Sequence, residues 1–331
     1  MQNKLLKRIS QNLRVFHIFI LVSLCSSLNL FAQSDSSYAE LNLNNIKAGF
    51  ASNGTLFKNI NDIEGDAGFI FSSDEDTAAM IYTAQLWAAG IIGNDTLVAA
   101  NTYFMRGFDI SYGPVSQQHD SLYKLKYNKV WKISKAKIDD HIANYQSPGY
   151  AIDNTILNWP AHGDVSKGEA YILAPFHDVN QNGYYDPFGG DYPLIKGDEA
   201  VYFICNDAGY SHSETGSDSM NIEIHGMAYA YDTNDAVLKN TVFLSYRIYN
   251  RGVSTIKDFK LGMWTDFDLG NPNDDVMGCD SANSIVYCYN GDLHDEGPMG
   301  FGSYPPAIGI KFLSESMTGS ISYNNSSAGI P

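Results

Sequence analysis

The stretch Ile222-Glu223-Ile224-His225-Gly226-Met227-Ala228-Tyr229 decides the fold class, because its side chains alternate between apolar and polar with a period of two. Val242-Phe243-Leu244-Ser245-Tyr246-Arg247-Ile248 repeats the pattern. Successive side chains of a β-strand point to opposite faces, so each segment presents one apolar face and one mixed face. Such strands are typical of an antiparallel β-sandwich, in which one face of each sheet packs on the core.

Further segments rich in Tyr, Phe, Ile and Val, bounded by Gly, Asn and Asp, indicate more strands. They are Gly68–Phe71, Met80–Ala89, Leu97–Phe104, Ala170–Phe176, Ala200–Cys205, Ile222–Tyr231, Val237–Asn250, Phe259–Trp264, Ile285–Tyr289 and Ile308–Phe312. Met80–Ala89 is rich in alanine and could form a helix instead. The neighbouring Gly90 and Gly93-Asn94-Asp95 resemble hairpin turns, so they favour a strand.

One helix is predicted, from Ser134 to Tyr145. Ser134 can cap its N-terminus, and Ile138, Ile142 and Tyr145 repeat at i, i+4 and i+7. The sequence therefore predicts a mainly β protein with antiparallel β-sandwich-like domains, one short helix near residues 134–145, and a long calcium-type loop between strands. A soft boundary near Lys196-Gly197 divides an N-terminal β-rich domain, residues 33–196, from a C-terminal sandwich-like domain, residues 197–331.

The first 32 residues have the order of a secretory signal peptide: four basic and no acidic residues, then an apolar run, then small residues. The apolar run Val15–Leu24 is shorter than the about 20 residues that span a membrane. Cys25 would suggest a lipoprotein, but Leu24 precedes it where a small residue is expected, so cleavage after Ala32 is favoured. The mature chain is thus predicted to be exported and to have no transmembrane segment.

The mature chain is strongly acidic. Removing four positive charges from a chain of net charge −16 leaves −20. A field of this sign repels phosphate backbones and anionic lipid surfaces, which argues against nucleic acid or a membrane surface as a partner, and it attracts divalent cations. With 44% hydrophobic and only 18% charged residues, the chain is globular rather than disordered.

Three cysteines remain after signal cleavage, and an odd number leaves one thiol unpaired. Cys279 and Cys288 flank a turn-like segment, residues 280–284, so a local disulfide is predicted in an oxidising compartment. Cys205 lies in an apolar run and is predicted to be a buried, reduced side chain.

The segment Asp178-Val179-Asn180-Gln181-Asn182-Gly183-Tyr184-Tyr185-Asp186 carries side-chain oxygens at alternating positions before a glycine, as calcium loops do. In an EF-hand-type loop the ligand positions would be Asp178, Asn180, Asn182, Tyr184 (through its carbonyl) and Asp186. Position 12, normally a bidentate acid, is Gly189, and Asp191 is the candidate replacement. The spacing also resembles the calcium loops of dockerin and thrombospondin type 3 repeats. A cation loop over 178–191 is preferred to the alternative, an Asn-Gly turn solvated by water.

A second, weaker candidate metal site follows Trp264. Its oxygen-bearing residues are Asp266, Asp268, Asn271, Asn273, Asp274 and Asp275. Acids this close repel one another unless a cation or water screens them. A polar loop with Asn-Pro and Asn-Asp turn residues is an equally good interpretation, because no fixed template is matched.

Several stretches resemble a large group of exported proteins of Bacteroidetes bacteria. They are Asn158–Asp164, Ala174–Asn180, Gly190–Pro193, Ile195–Asp198, Cys205–Asp207, Trp264–Gly270, Gly278–Asp280 and Tyr287–Asp292. The similarity covers roughly Leu41 to Phe312. It implies a secreted or cell-surface protein of the kind that ends in a sorting domain for type IX secretion. No sorting domain is evident before Pro331, which indicates a fragment of a longer protein or another export route.

The same resemblance suggests O-glycosylation at Asp followed by Ser or Thr and an apolar residue. The matching segments are Asp76-Thr77-Ala78, Asp95-Thr96-Leu97, Asp120-Ser121-Leu122, Asp218-Ser219-Met220 and Asp280-Ser281-Ala282. The alternative is ordinary turn chemistry, for which Asp-Ser and Asp-Thr are also suited.

Four pairs of residues are candidates for catalysis or metal binding: His162 with Asp164, His177 with Asp178, His212 with Glu214, and Glu223 with His225. The last pair lies two residues apart on one face of a strand and could be half a metal site or an acid and base pair. A surface or partner-facing pair is favoured, since no third ligand follows at zinc-like spacing. No nucleophile elbow, phosphate-binding loop or zincin helix is present.

Two classes of function remain. The favoured one is a secreted or cell-surface β protein, stabilised by calcium, with a structural, adhesion or glycan-binding role and glycans or surface components as partners. Trp159 and Trp264 could stack on sugar rings, although aromatic residues at strand period are more often core. The alternative is a secreted polysaccharide hydrolase that uses paired carboxylates. Acids facing each other across a pocket would favour the hydrolase, and acids converging on one ion would favour the calcium-stabilised protein.

Overall fold

A computed structural model describes residues 37–58, 67–72, 77–103 and 107–322, and the predicted signal peptide lies outside them. The strands are β1 (Tyr38–Leu43), β2 (Ile46–Ala51), β3 (Phe69–Ser72), β4 (Thr77–Ile92), β5 (Asp95–Ala99), β6 (Ser111–Tyr112), β7 (Trp131–Ser134), β8 (Phe176–His177), β9 (Tyr192–Pro193), β10 (Glu199–Asn206), β11 (Ile222–Ala230), β12 (Phe243–Asn250), β13 (Lys257–Phe267), β14 (Asp275–Asp280), β15 (Ile285–Asn290), β16 (His294–Asp295), β17 (Gly302–Ser303) and β18 (Ala307–Lys311). The helices are α1 (Ser121–Tyr127), α2 (Lys135–Asn144) and α3 (Asn154–Leu157). The prediction of a mainly β protein is confirmed.

Two larger antiparallel sheets carry the fold. The first has the order β1-β2-β3-β4-β13, with β5 also paired to β4. The second has the order β12-β11-β10-β6, with β7 also paired to β10. Three small sheets, β14-β15-β18, β16-β17 and β8-β9, complete the described strands.

The two larger sheets share one buried hydrophobic cluster, as expected of a sandwich. Phe50 and Leu86 contribute to it from the first sheet, and Val201 and Phe203 contribute from the second. The intervening residues of β10, such as Tyr202, belong to a second cluster that is built with the helices and the loops around them. Strand β10 is therefore buried on both faces, and the second sheet lies between the first sheet and a layer of short helices.

The predicted boundary at Lys196-Gly197 falls inside one compact unit, Ser36–Pro331. Strand β4 pairs with β13, and β10 pairs with β6 and β7, so both sheets contain strands from either side of that position. Antiparallel pairing between strands that are distant in sequence is what joins the two halves.

The predicted helix is confirmed as α2. Its N-cap is Ser134, whose hydroxyl accepts a hydrogen bond from the Lys137 N–H at 3.4 Å. Its buried side chains are Ile138 and His141, whereas Ile142 is 44% exposed, so the predicted apolar face was wrong at that position. The buried imidazole of His141 places its Nε2 3.2 Å from the Asp191 carbonyl oxygen, in the loop between β8 and β9.

Two more helices make the prediction of a single helix wrong. Asp120 caps α1 by accepting from the Tyr123 N–H, and Asp153 caps α3 by accepting from the Thr155 N–H. An aspartate before each short segment was the available signal, because Asp at the N-cap satisfies an otherwise unpaired N–H.

The strand predicted at Ala170–Phe176 was also largely wrong. Only Phe176 belongs to a strand, the two-residue β8. Leu173 and Ala174 are buried in the second cluster, and their N–H groups donate to carbonyl oxygens of the preceding loop. The apolar run is therefore part of the core, but a loop rather than a sheet satisfies its backbone.

The described cysteines are all free. The β14-β15 register places Cys279 opposite Val286 and Cys288 opposite Met277, so the two cysteines are a diagonal pair. Diagonal neighbours in a sheet are about 7–8 Å apart, which is longer than the Cα separation of about 4.4–6.8 Å in disulfides. The predicted Cys279–Cys288 disulfide is therefore not formed, whereas Cys205 is free and buried as predicted.

Candidate functional site

The predicted cation loop lies between β8 and β9, which form a short hairpin at its base. The Asp178 carboxylate accepts hydrogen bonds from the Gly183 N–H at 2.6 Å and from the Asn182 N–H at 3.2 Å. These backbone bonds, that from Gly183 first, hold the pKa of Asp178 below its usual value. Gly183 has a φ of +80°, which explains the requirement for glycine at this turn.

The other predicted ligands of this loop also accept backbone N–H groups. Asn180 accepts from Asn182, Asn182 accepts from Tyr184, and Asp186 accepts from Phe188. Each oxygen-bearing side chain thus closes a local turn. The same oxygens keep lone pairs that could face a cation, since each accepts few hydrogen bonds.

Asp191 joins the two sides of the loop. It is fully buried, and its two carboxylate oxygens accept from the Val179 N–H at 2.9 Å and from the Asp186 N–H at 2.8 Å. Asp191 therefore stabilises the loop by joining Val179 to Asp186. The sequence pattern indicated only a replacement calcium ligand at this position.

His162 anchors the loop to the rest of the protein. Its Nδ1 lies 3.1 Å from the Tyr171 carbonyl oxygen, and its Nε2 accepts from the Tyr185 N–H at 3.0 Å. The predicted partner Asp164 instead accepts from the N–H and hydroxyl of Ser166. His162 and Asp164 are thus structural and do not form a catalytic pair.

The second predicted site differs from the first, because its carboxylates crowd one another. Asp266 lies at the end of β13 and accepts from the Tyr103 hydroxyl at 2.9 Å. Burial, followed by the charges of Asp266 and Asp275, raises the pKa of Asp268 to about 6. Burial also raises the pKa of Asp275 to about 6, with Asp274 and Asp295 adding to the rise and the Leu269 N–H opposing it.

Three buried oxygen atoms at this site have no hydrogen-bond partner. They are Oδ1 of Asp274, Oδ1 of Asp275 and Oδ1 of Asn290. Asp275 and Asn290 face each other across β14 and β15, and Asn290 is only 5% exposed. A buried oxygen that accepts no bond costs free energy, so each of these atoms calls for a partner.

Asp295 is a further member that sequence reasoning missed. It is 1% exposed, and its carboxylate accepts from the Asn271 N–H at 3.1 Å and from the Phe301 N–H at 2.8 Å. Asn290 and Asp295 come from β15 and β16, far enough along the chain that no local motif includes them. We call Asp266, Asp268, Asp274, Asp275, Asn290 and Asp295 the Asp268 cluster.

Two predicted ligands have a smaller part in this site. The Asn271 side-chain oxygen accepts from the Asn273 side-chain amide at 2.7 Å, so these residues close a turn at the rim. Within the four described ranges, no three His, Cys, Asp or Glu side chains come together closely enough to hold a metal ion. Any cation in the Asp268 cluster therefore needs asparagine, carbonyl or water oxygens as well as carboxylates.

The pair Glu223 and His225 is buried, so its prediction as a surface or partner-facing pair was wrong. Glu223 accepts from His225 Nε2 at 2.8 Å, from Arg251 Nη2 at 2.6 Å and from the Val115 N–H at 2.8 Å. Burial acts to raise the pKa of Glu223, but the bonds from His225 and Arg251 outweigh it and lower that pKa. The Tyr202 hydroxyl lies 2.8 Å from His225 Nδ1 and completes a structural network.

The remaining candidate pairs do not form catalytic arrangements. The His177 ring stacks on Tyr192, and Asp178 turns into its own loop. His212 is buried, while the Glu214 carboxylate accepts from the Thr102 hydroxyl at 2.6 Å.

The two tryptophans proposed for sugar stacking have different environments. Trp159 is 5% exposed and packs on Tyr202, so it is a core residue. Trp264 is half-buried, and its ring lies 5.8 Å from that of Trp87 with only 6° between their planes. Tyr103 contacts the Trp264 ring edge-on, and neither tryptophan of this pair belongs to either buried cluster.

A cavity of about 300 Å³ lies between β5, the segment before β11 and the segment after β12. Two exposed acids, Asp95 and Asp218, line it together with apolar side chains that include Leu97 and Met220. It is the larger of two described cavities, and the smaller, about 130 Å³, borders Asn271 of the second predicted site.

The segments predicted for O-glycosylation mostly present their hydroxyl residues to solvent. Thr77, Thr96, Ser121 and Ser281 are exposed, whereas Ser219 is partly buried at the larger cavity. Asp120 and Asp280 accept backbone N–H groups, which is the turn chemistry of the alternative interpretation. Asp76 lies outside the described residues.

In the described part of the chain, no helix is both long enough and apolar enough to span a membrane. Comparison of the chain with models of known protein families, with curated proteins and with solved structures gave no match.

Proposed function

We propose that the protein is a secreted or cell-surface β protein that calcium stabilises, with a structural, adhesion or glycan-binding role. The signal-like N-terminus and the resemblance to exported Bacteroidetes proteins support the location. The strongly acidic chain and its two oxygen-rich segments support the cation. A role in catalysis has less support, because the described acid and histidine pairs serve the fold.

The observation that carries this proposal is the set of unpaired oxygens in the Asp268 cluster. Calcium takes about 6–8 oxygen ligands from carboxylates, amides, carbonyls and water. An ion there would give partners to Asp274, Asp275 and Asn290 and would neutralise the crowded carboxylates. Without it, burial and mutual repulsion oppose folding of this corner.

The Asp178 loop differs from the Asp268 cluster in the hydrogen bonds that its oxygens accept. Its candidate ligands already accept backbone N–H groups, so the loop is satisfied by its own hydrogen bonds. We therefore assign the larger share of calcium stabilisation to the Asp268 cluster and the smaller share to residues 178–191. This order reverses the preference that the sequence pattern alone indicates.

Calorimetric titration of the full chain with calcium tests the proposal. We expect saturable binding that Asp275→Asn weakens strongly, because this change removes a carboxylate from the centre of the Asp268 cluster. Glu315→Gln, which removes one charge from an exposed residue outside both predicted sites, is the matched control and should leave binding unchanged. Absence of calcium binding by the wild-type chain would refute the proposal.

Stability should also depend on pH in a direction fixed by the raised pKa values of Asp268 and Asp275. Both carboxyls have a pKa of about 6 when folded, above the ordinary value of 3.8, so the folded state binds their protons more tightly than the unfolded chain does. Their repulsion is present above pH 6 and is relieved as the pH falls toward 4. In chelator, the wild type should therefore gain stability from pH 7 to pH 5 relative to an Asp268→Asn, Asp275→Asn variant. Denaturant unfolding at pH 7 and pH 5 would measure this difference. An equal change in unfolding free energy for the wild type and the variant would contradict the charge crowding.

A polysaccharide hydrolase is the second candidate, and the cavity lined by Asp95 and Asp218 is the observation that favours it. Glycosidases use two carboxyl groups across a cleft. Release of reducing sugar from a polysaccharide panel, lost in Asp218→Asn, would support this function. No release by the wild-type chain would leave the calcium-stabilised structural protein as the function.

A further inference from the structure

The buried histidine His212 has hydrogen-bond acceptors on both sides of its ring. Nδ1 lies 3.1 Å from the Val98 carbonyl oxygen, and Nε2 lies 2.8 Å from the Asp207 carbonyl oxygen. A neutral imidazole has one N–H donor and one bare nitrogen, so it could satisfy only one of these carbonyls. The bare nitrogen would then direct its lone pair at the other oxygen. Only the imidazolium donates to both.

Two carboxylates flank the ring and compensate its positive charge. Asp109 Oδ2 lies 3.8 Å from Nδ1, and Asp207 Oδ2 lies 3.8 Å from Nε2, with all three side chains at 1% exposure or less. Burial raises the pKa of Asp207, whereas N–H bonds from Met220 at 2.6 Å and Ile222 at 2.7 Å favour its ionised form.

Asp109 is bonded in a similar way. Its carboxylate accepts from the N–H groups of Ala100, Glu214 and Thr215. One oxygen of the Glu214 carboxylate accepts from the Thr102 hydroxyl. Asp109 and Asp207 are the acids whose oxygens lie 3.8 Å from the imidazole nitrogens. A buried charge is tolerated when it is paired and hydrogen-bonded, and this arrangement meets both conditions.

We propose that His212 is doubly protonated in the folded protein and that this imidazolium is a pH-sensitive lock. It holds residues 208–221 against β5 and against the end of β10. Loss of one ring proton directs a bare ring nitrogen at a carbonyl oxygen and leaves two buried carboxylates uncompensated, so the segment loosens. The lock is closed while both ring nitrogens carry hydrogen, and it opens when rising pH removes one of these protons. This inference does not depend on calcium binding.

The same molecule supplies a matched control. His162 also places Nδ1 against a carbonyl oxygen, that of Tyr171, but its Nε2 accepts from the Tyr185 N–H. This geometry requires a neutral ring with its hydrogen on Nδ1. The two histidines thus differ in the partner of Nε2, and their charge states should differ accordingly.

Nitrogen NMR of the full chain with ¹⁵N-labelled histidine tests the charge state. At pH 7.5, both ring nitrogens of His212 should carry hydrogen, whereas His162 should show one protonated and one bare nitrogen. His212→Gln and His162→Gln assign the signals by their loss. A bare nitrogen on His212 at this pH would overturn the proposal.

If His212→Gln does not fold, His162→Gln and the other histidine variants assign the remaining signals, and His212 follows by elimination. Amide hydrogen exchange then tests the lock. After correction for the intrinsic effect of pH, the Met220 and Ile222 amides should exchange faster once His212 loses its second proton. The Ala228 amide in β11 should not change. Unchanged exchange at Met220 and Ile222 across that titration would show that His212 does not lock the segment.

Discussion

Glu223→Ala is expected to lower the free energy of unfolding by about 3–5 kcal/mol, the range for removing one partner of a buried ion pair. Glu223 is fully buried and accepts from His225, from Arg251 and from the Val115 N–H. Its loss leaves the Arg251 charge without its carboxylate partner and the Val115 N–H without an acceptor. The change also removes volume from a closely packed sheet.

Urea unfolding measured by fluorescence or circular dichroism would give this value. Glu223→Gln, which retains an acceptor but removes the charge, should cost less. Glu40→Ala is the matched surface control, because Glu40 pairs with Lys47 at 3.1 Å while both side chains are at least 32% exposed. Exposed pairs contribute about 0–1 kcal/mol. Equal losses for Glu223→Ala and Glu40→Ala would contradict the structural role of the Glu223 network.

Asp275→Asn is expected to lower the stability of the protein in calcium but not in chelator. At a calcium concentration a hundredfold above Kd, one site that binds only the folded state adds about 2.7 kcal/mol. The variant should lose most of that gain because Asp275 lies at the centre of the Asp268 cluster. In chelator the same change should be neutral or stabilising, since it removes one of several crowded charges.

Paired unfolding curves of wild type and variant, each in calcium and in chelator, measure both effects. Asp178→Asn serves as a comparison, because the hydrogen bonds within its loop keep that segment ordered without an ion. It should reduce the calcium gain less than Asp275→Asn does. If Asp178→Asn removes more of the calcium-dependent gain in stability than Asp275→Asn does, the EF-hand-like loop is the main site, as the sequence pattern indicated.

The sequence predicted the local features of the fold well. The period of two in residues 222–229 and 242–248 correctly indicated β11 and β12, and Ser134 correctly marked the start of α2. These signals are local, because alternation and capping depend on neighbours within a few residues. The burial of β10 on both faces was not predicted, since the second layer against it comes from distant helices.

The candidate site was predicted only in part, because some of its residues are neighbours in sequence and others are not. The acids from Asp266 to Asp275 are close in sequence, so their clustering was visible. Asn290 and Asp295 join them only through the pairing of β14 with β15 and the position of β16. The burial of Glu223 was likewise hidden, because its partners Val115 and Arg251 lie far from it along the chain.

The central claim is that calcium stabilises the folded protein, and the melting temperature of the wild-type chain tests it most directly. Thermal unfolding would be followed at pH 7 in calcium and in chelator, at equal ionic strength. A gain of about 2.7 kcal/mol in a protein of this size raises the melting temperature by a few degrees. We predict that rise in calcium. Equal melting temperatures in calcium and chelator would contradict the account, leaving the unpaired oxygens of the Asp268 cluster to be satisfied by water.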